Sequence, residues 1–186
     1  MKLAFTTLLT ASLLSTTALA NTFESQHRVG LGFSSTDMTD DFFGSSYTSD
    51  WGNGIKLEYG YEFNQIVGLN VSYAKNKDSV SLQGASAELD GTTFQIDADI
   101  GYKFMLDGFA IKPYGVIGLA RYNEEISTNF MGTDSWNDTS FVLGAGVRAD
   151  IGQHFYSDIR IDLTSYDDGF DTMDYDQFSF TVGYKF

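Results

Sequence analysis

The sequence has no cysteine, a single proline and two histidines among its 186 residues. Without cysteine the chain forms neither a disulfide nor the lipidated cysteine of a lipoprotein. Only 11 lysines and arginines accompany 25 aspartates and glutamates, so the formal net charge is −14 and nucleic acid, itself a polyanion, is an unfavourable partner. A single proline leaves long extended segments uninterrupted, because proline is confined to the edges and bulges of sheets.

The sequence also lacks an apolar run long enough to cross a bilayer as a helix. Its one apolar run, residues 3–14, follows Lys2 and precedes Ala-Leu-Ala at residues 18–20. A positive start, a short apolar stretch and a small-x-small ending are typical of a secretory signal peptide rather than of a buried helix. We predict a signal peptide over residues 1–20, export through the Sec pathway, and one mature domain over residues 21–186.

Aromatic residues and glycine are plentiful, at 29 and 19 residues, and the aromatic residues recur at alternate positions. The clearest case is the end of the chain, where five apolar residues alternate with polar residues or glycine: Phe178, Phe180, Val182, Tyr184 and Phe186. Period-two alternation predicts a β-strand with one apolar and one polar face. Such an apolar face is acceptable at a chain terminus when it meets lipid in a closed barrel.

The same alternation predicts eight strands, at about 26–36, 52–63, 66–76, 91–105, 109–124, 139–151, 155–166 and 175–186. The connections alternate between polar segments of up to about fifteen residues and turns of about two to four residues. This asymmetry predicts an all-β fold, an eight-stranded antiparallel up-and-down transmembrane β-barrel with long external loops and short periplasmic turns. A soluble lipocalin-like barrel, with its apolar face inward around a ligand, is the alternative.

The fifth strand has an ambiguous phase. Ile111 and Ile117 share one face, whereas Tyr114 and Val116 fall on the other. Pro113 lies near the change of phase, and proline in a ladder usually marks a bulge or a strand end. The sequence therefore leaves the register around Pro113 open.

Charges on the polar face of the strands balance. Seven basic and seven acidic side chains fall there: Arg28, Lys56, Glu58, Glu62, Asp97, Asp99, Lys103, Lys112, Arg148, Asp150, Asp158, Arg160, Asp162 and Lys185. The rest of the mature chain holds 18 acidic residues against Lys75, Lys77 and Arg121. An unpaired buried charge is costly, and eight strands enclose a lumen just wide enough for side chains. We predict that the fourteen residues form an ion-pair network inside the barrel, although neutral polar faces also arise by chance on soluble sheets.

Several local sequences carry a family resemblance. Strand five opens with Lys112-Pro113-Tyr114, strand six contains Gly144-Ala145-Gly146, and the last strand ends on Phe186. With the signal peptide and eight strands, these features resemble small porin-like outer-membrane proteins, namely the membrane domain of outer membrane protein A and related eight-stranded barrels of the adhesin and invasin type. The resemblance implies a Gram-negative outer-membrane location and contact with lipid and lipopolysaccharide. It also implies insertion by the barrel-assembly machinery, with the alternating residues of the last strand as the assembly signal.

The chain departs from these relatives in two ways. No peptidoglycan-binding domain is expected after the eighth strand. Thr181 stands where the assembly signal usually has glycine, although the alternation itself is intact.

Neither histidine suggests catalysis. His27 opens the first strand, and His154 lies in a turn at the wrong spacing from Ser157 to act as its base. We therefore predict no enzymatic activity and no cofactor.

Aspartates crowd two of the outer connections: Asp37, Asp40, Asp41, Asp167, Asp168, Asp171, Asp174 and Asp176. Carboxylates are ligands that Ca²⁺ and Mg²⁺ prefer, but the spacing matches no EF-hand. The sequence favours a solvated, mutually repelling surface. Weak binding of divalent cations, shared with lipopolysaccharide phosphates, is the alternative.

These observations predict a monomeric outer-membrane β-barrel with a structural or surface-interaction role, whose loops meet the environment. The alternative is a narrow channel for small solutes, in which interior ion pairs rearrange to open a path.

Overall fold

The computed structural model describes residues 26–42, 45–82, 85–128, 132–167 and 172–186, so the expected signal peptide lies outside the described residues. Nine β-strands cover nearly all of these ranges: β1 Gln26–Phe42, β2 Ser45–Glu62, β3 Val67–Leu82, β4 Ala85–Gly101, β5 Phe104–Leu106, β6 Phe109–Thr128, β7 Gly132–Ile151, β8 Phe155–Asp167 and β9 Thr172–Lys185. Within the described ranges there is no helix of the length and apolar character that a membrane crossing requires.

The strands close into one wall in which all pairs are antiparallel. Consecutive strands are paired except β4 and β5, which both pair with β6. β1 also pairs with β9, from Arg28 opposite Lys185 to Asp40 opposite Met173. β4 and β5 keep a single register against β6, so they form one barrel strand interrupted at residues 102–103. The wall is a closed, eight-stranded up-and-down β-barrel, which confirms the fold expected from the sequence.

β6 passes through Pro113 without a bulge, which settles the phase that the sequence left open. Its ladder with β7 is continuous over all 20 residues of the strand. Tyr114 and Val116 are buried in the lumen, and this burial accounts for apolar residues on the polar face. The ladder is interrupted instead where β6 meets β4 and β5, and Pro113 lies opposite this interruption at residues 102–103. Proline has no N–H to donate, so it cannot complete the ladder at that point.

The apolar face of the wall points outward. On β7, Phe141 is 75% exposed whereas Arg148 is 1% exposed. This orientation contradicts the soluble-barrel alternative, which would turn the apolar face toward an interior ligand. The outward side chains form a continuous apolar belt within residues 29–33, 55–63, 67–73, 94–106, 109–119, 141–151, 155–163 and 178–186.

Beyond the apolar belt the strands continue as hydrogen-bonded hairpins, where the sequence suggested long loops. The β1–β2 ladder extends to Phe42 opposite Ser45, and the β6–β7 ladder extends to Thr128 opposite Gly132. These outer arms comprise residues 34–42, 45–54, 75–82, 85–93, 120–128, 132–140, 164–167 and 172–177. The tight turns lie at the opposite end of the barrel, which is the periplasmic end in proteins of this architecture.

The outer arms separate between β2 and β3. The ladder joining these strands ends at Asn53 opposite Lys77, although β2 begins at Ser45 and β3 runs to Leu82. Within the ranges that the structure describes, residues 45–52 and 78–82 therefore each present one strand edge that is not in a ladder. An edge of this kind is a template for pairing with another extended chain.

Candidate functional site

The polar interior of the barrel is the first candidate site. All fourteen charged residues assigned to the polar face point into the lumen, where none is more than 5% exposed. Each lies within 3.8 Å of an oppositely charged member of the same set. The strands bring these residues together because every second side chain of a strand points to the same face.

Glu62 and Asp99 are the centres of this lumen network. Arg28 Nη2 lies 3.2 Å from Asp99 Oδ2, and Arg148 Nη1 lies 3.1 Å from Glu62 Oε1. Lys112 Nζ contacts both carboxylates. Several cations share each carboxylate, and this shared attraction offsets the loss of hydration on burial.

A second group of charges lies toward the outer end of the lumen. Arg160 Nη2 is 2.8 Å from Asp97 Oδ2, and Arg160 Nε is 2.7 Å from Asp162 Oδ1. Asn70 joins this group to the rest of the network, since it accepts from Arg28 and donates to Asp97 Oδ1 at 2.7 Å. The charge balance of the polar face does not reveal uncharged Asn70, although the even-numbered place of Asn70 on β3 predicts the same inward direction.

At the periplasmic end, Asp150 connects two lysines. Lys103 Nζ and Lys185 Nζ lie 2.7 Å and 3.0 Å from its Oδ2 atom. Lys103 also contacts Glu62, so the periplasmic residues belong to the same network.

Two tyrosines also point into the lumen and fill space between the charges. The sequence left the face of Tyr114 open and gave no interior role to Tyr156. Tyr114 Oη donates to Asp158 Oδ1 at 2.6 Å, and the Arg148 guanidinium lies 4.9 Å from the Tyr114 ring centroid. Tyr156 lies against Gly183, where a Cβ atom would come within 2.4 Å of the ring. Glycine on the facing strand thus makes room for a large side chain.

Ion pairs cross the lumen from one wall to another. Arg148 on β7 reaches Glu62 on β2, and Arg160 on β8 reaches Asp97 on β4. A cavity of about 20 Å³ lies near the outer end, lined by Thr36, Thr93, Gln95, Tyr122, Asp162, Thr164, Tyr175 and Gln177. That volume holds about one water molecule, so the cavity is too small for a hydrated solute.

A closed barrel with an apolar exterior and a charged, packed interior is the architecture of small outer-membrane proteins. The model of the family described as outer membrane protein beta-barrel domain matches residues 6–186. The chain belongs to this family. The protein is accordingly an outer-membrane β-barrel protein of a bacterium.

Relatives of this outer-membrane β-barrel protein include attachment and surface proteins. The Attachment invasion locus protein of Yersinia pseudotuberculosis serotype I (strain IP32953) is 27% identical over 172 residues, which cover 87% of this chain and 89% of that protein. The crystal structure of Ail, the attachment invasion locus protein of Yersinia pestis, aligns with a TM-score of 0.65 at 19% identity, covering 88% of this chain and all of that one. Neisserial surface protein A aligns with a TM-score of 0.58 at 16% identity over 88% of this chain and 100% of that one. The two structural likenesses show a shared fold.

Aromatic side chains close the outer end of the lumen in this outer-membrane β-barrel protein. The rings of Tyr122 and Tyr175 are buried, with centroids 4.9 Å apart, and further apolar side chains pack against them. The mouth cluster consists of Met38, Trp51, Tyr122, Glu124, Trp136 and Tyr175. The two-residue alternation of the strands does not predict this cluster.

Glu124 is the carboxylate of the mouth cluster and is 8% exposed. Trp51 Nε1 donates to Glu124 Oε2 at 3.2 Å and to Tyr122 Oη at 2.7 Å. Burial raises the pKa of Glu124 above its usual value, while hydrogen bonds from Trp51 and Tyr175 offset part of the rise. Glu124 thus lies among neutral donors, unlike the carboxylates of the lumen network.

Trp51 enters the mouth cluster because β2 bulges just beside it. The register with β1 shifts between Ser35 and Asp37, and Gly52 adopts a φ of 96°. The Gly52 N–H donates to Asp50 Oδ1 at 2.9 Å and stabilises the bulge. Because one extra residue reverses the alternation of side chains, period-two reasoning alone could not place Trp51 inside.

The outer arms are strongly acidic. They carry 14 aspartates and glutamates against Lys75, Lys77 and Arg121. Lys77 Nζ lies 2.8 Å from Asp90 Oδ2, and this hydrogen bond lowers the pKa of the Asp90 carboxyl. The remaining acidic charge leaves the outer end of the protein strongly negative.

The aspartates considered as divalent-cation ligands are described only in part. Asp168 and Asp171 fall outside the described ranges, and the side chains of Asp40, Asp41 and Asp167 lie outside those that the structure describes. Among the side chains that the structure does describe, no three His, Cys, Asp or Glu residues are grouped so as to hold a metal ion.

Both histidines lie on aromatic rings at the periplasmic end. The His27 ring stacks on Phe186 with centroids 5.6 Å apart, and the His154 ring stacks on Tyr184 at 5.2 Å. The Phe186 N–H donates to the His27 carbonyl at 2.9 Å, which ties the last residue to β1. These contacts make both histidines part of an aromatic girdle at the level of the lipid headgroups.

The residues expected to form the assembly signal lie on the outer face of β9 or, for the last one, directly after it, and are between 42% and 63% exposed: Phe178, Phe180, Val182, Tyr184 and Phe186. They belong to the apolar belt. Their role in assembly stays a prediction.

Proposed function

We propose that this protein attaches the bacterial surface to an external partner through its outer arms. The observation that carries the proposal is the extension of paired hairpins beyond the apolar belt, as far as Phe42 opposite Ser45 on the β1–β2 arm. The similarity to the Attachment invasion locus protein over 87% of the chain supports a surface-interaction role.

The opening between β2 and β3 offers the arms a means of recognition. Residues 45–52 and 78–82 are extended, and their facing edges are not joined in a ladder. An extended segment of a partner can pair with such an edge through main-chain hydrogen bonds, and its alternate side chains then provide specificity.

The charge of the outer arms selects the partner. Fourteen acidic residues against three basic ones favour a partner with a basic or neutral surface. Ail of Yersinia pestis has been crystallised with the heparin analogue sucrose octasulfate, a polyanion. The acidic outer arms predict weaker binding of such a sulfated ligand to this chain.

The lumen network has a structural role in this proposal. Ion pairs such as Arg148 with Glu62 join opposite walls and occupy the space that a channel would need. The neutral lumen therefore stabilises the barrel, and the porin-like alternative is not favoured.

The proposal includes the steps of biogenesis that the sequence predicts and the family resemblance implies. Residues 1–20 direct export through the Sec pathway, and the alternating residues from Phe178 to Phe186 guide the barrel-assembly machinery. After insertion, lipopolysaccharide surrounds the base of the outer arms, and divalent cations shared with its phosphates screen their negative charge.

Attachment of bacteria to cultured epithelial cells tests the proposal. The full chain is expressed in the outer membrane of a non-adherent strain, with an empty vector as reference. We expect a several-fold gain in bound bacteria, because the outer arms extend beyond the membrane surface. Binding equal to the vector, with the protein folded in the outer membrane, would sink the proposal.

A pair of variants assigns the effect to the outer arms. Glu125→Gln combined with Asp134→Asn removes charge from the β6–β7 arm, whereas Asp107→Asn removes charge from a turn at the periplasmic end. The arm variant is expected to lower attachment and the turn variant to preserve it. Heat-dependent mobility on a semi-native gel verifies that each variant is folded.

A further inference from the structure

Glu124 is a buried carboxylate without a matching cation. Each of the seven acidic residues in the lumen network lies within 3.8 Å of a lysine or arginine. Glu124 is nearly as buried, yet in the part of the chain that the structure describes no lysine, arginine or histidine acts on it. Removing an ionised carboxylate from water is costly unless a positive charge compensates it.

Aromatic rings surround this carboxylate. The Trp51 and Tyr175 rings meet edge to face with centroids 6.3 Å apart, and Tyr122 lies 6.2 Å from Trp136. Trp136 is directly opposite Glu124 in the register of β6 and β7. Aromatic faces attract organic cations through their quadrupole, and a carboxylate among them supplies the counter-charge.

We propose that the mouth cluster binds one organic ammonium group, with Glu124 as its counter-charge and the rings of Trp51, Tyr122, Trp136 and Tyr175 as its walls. In the structure the Trp51 indole N–H occupies the position expected for the ammonium group, where it donates hydrogen bonds to Glu124 and Tyr122. The ammonium group displaces this indole from Glu124. The site goes beyond attachment by the outer arms and does not depend on it.

The Trp51 side chain is located where it can move away from Glu124. It precedes Gly52, whose φ of 96° marks the bulge, and residues 45–52 are not in a ladder with β3 within the described ranges. The indole therefore swings outward without breaking strand pairs on that side. The cavity of about 20 Å³, which Tyr122 and Tyr175 of the mouth cluster help to line, provides the first free volume.

The surrounding charge favours entry of a cation. The outer arms carry 14 acidic residues against three basic ones, which raises the local concentration of positive ligands at the mouth. The recognised chemistry is an ammonium group with alkyl substituents. The aromatic walls favour a quaternary ammonium, as in the headgroup of choline lipids, and binding of a lysine side chain is the other outcome that the test distinguishes.

Tryptophan fluorescence provides a direct test. The chain contains two tryptophans, Trp51 and Trp136, and both belong to the mouth cluster. The protein is folded in a sugar-headgroup detergent, which contains no choline, and is titrated with choline chloride, with Nα-acetyl-lysine amide, and with sodium chloride at equal ionic strength. We expect a saturable change with at least one organic cation, with a dissociation constant on the order of millimolar. The organic cation with the lower dissociation constant identifies the source of the ammonium group.

A matched pair of variants locates the site. Glu124→Gln removes the buried charge, and Asp107→Asn removes an exposed charge from a turn at the periplasmic end, outside the outer arms. We expect Glu124→Gln to weaken binding about tenfold or more, and Asp107→Asn to leave it unchanged. The proposal is overturned if sodium chloride produces the same change, if neither organic cation saturates, or if Glu124→Gln binds as tightly as the original protein.

A second measurement keeps the test decisive if Glu124→Gln fails to fold. This measurement is saturation-transfer NMR on the unmodified protein. Irradiation of the aromatic protons should transfer saturation to the methyl protons of bound choline, or to the side-chain methylene protons of bound Nα-acetyl-lysine amide. Transfer to either ligand supports the aromatic site. Absence of transfer to both contradicts it.

Discussion

Glu62 and Glu124 are both glutamates with little solvent exposure, but their surroundings differ at the level of single atoms. Glu62 lies 3.1 Å from the Arg148 guanidinium and contacts two lysines, whereas Glu124 receives hydrogen bonds from neutral groups. A buried charge is tolerated when charges of the opposite sign enclose it. The lumen network therefore stabilises the barrel. Burial of Glu124 without a cation lowers the stability of the fold, and such a loss of stability is typical of a binding position.

The first prediction concerns Asp99, which contacts Arg28, Lys112 and Arg148. Asp99→Asn should lower the free energy of unfolding by about 3–5 kcal/mol, because three cations lose the carboxylate that they share. Urea unfolding in micelles, followed by tryptophan fluorescence, measures the change. Asp90→Asn is the control, since its partner Lys77 is exposed and the pair adds little stability. Equal losses in the two variants would contradict the importance of the lumen network.

At the scale of secondary-structure elements, β9 shows how one strand serves both faces of the wall. Its odd-numbered positions face the lumen, where Lys185 pairs with Asp150 and Ser179 accepts a hydrogen bond from Lys56. Its even-numbered positions supply the apolar belt. β9 also closes the barrel by pairing with β1. Close approach of these two strands is possible because Gly183 lacks a side chain where Val29 and Tyr156 crowd it.

The second prediction tests this close approach. A Cβ atom at position 183 would lie 2.1 Å from the Val29 carbonyl oxygen and 2.4 Å from the Tyr156 ring. Gly183→Ala should therefore destabilise the barrel by about 1–3 kcal/mol in urea unfolding. Gly115→Ala is the matched control, because its nearest neighbours would be 3.9 Å away. A larger loss in Gly115→Ala than in Gly183→Ala would show that packing at β9 is not the cause.

At the scale of the whole molecule, the protein consists of three zones of different chemistry. The apolar belt meets lipid, the lumen network is neutral with seven charges of each sign, and the outer arms are acidic. This division assigns membrane anchoring to the belt and partner recognition to the arms. Conduction is the function that the division disfavours, because the ion pairs span the lumen.

The third prediction addresses conduction. In planar bilayers the protein should show no steady conductance. Arg148→Ala should stay closed as well, since Arg28 and Lys112 remain at Glu62 and Asp99. Single-channel recording at both voltage polarities measures the outcome, with a known porin as positive control. A steady open level in the unmodified protein would revive the porin-like alternative.

Local alternation was sufficient to predict much of this architecture. The eight barrel strands, their apolar face and the inward direction of the fourteen charged residues all follow from the two-residue period of a strand. That period depends on backbone geometry alone and is readable without knowing which strands are neighbours. The ambiguous phase around Pro113 marked the limit of this period, because Tyr114 and Val116 are apolar and yet are buried on the polar face.

The sequence by itself determined the strand number, the two faces of the wall and the neutral charge of the lumen, because each depends on residues close together along the chain. Only the tertiary structure decided which charges pair, how far the outer arms extend, and that Trp51 joins Glu124 at the mouth. These features depend on register between strands that are distant in sequence. A single bulge at Gly52 is enough to reverse the direction of a side chain.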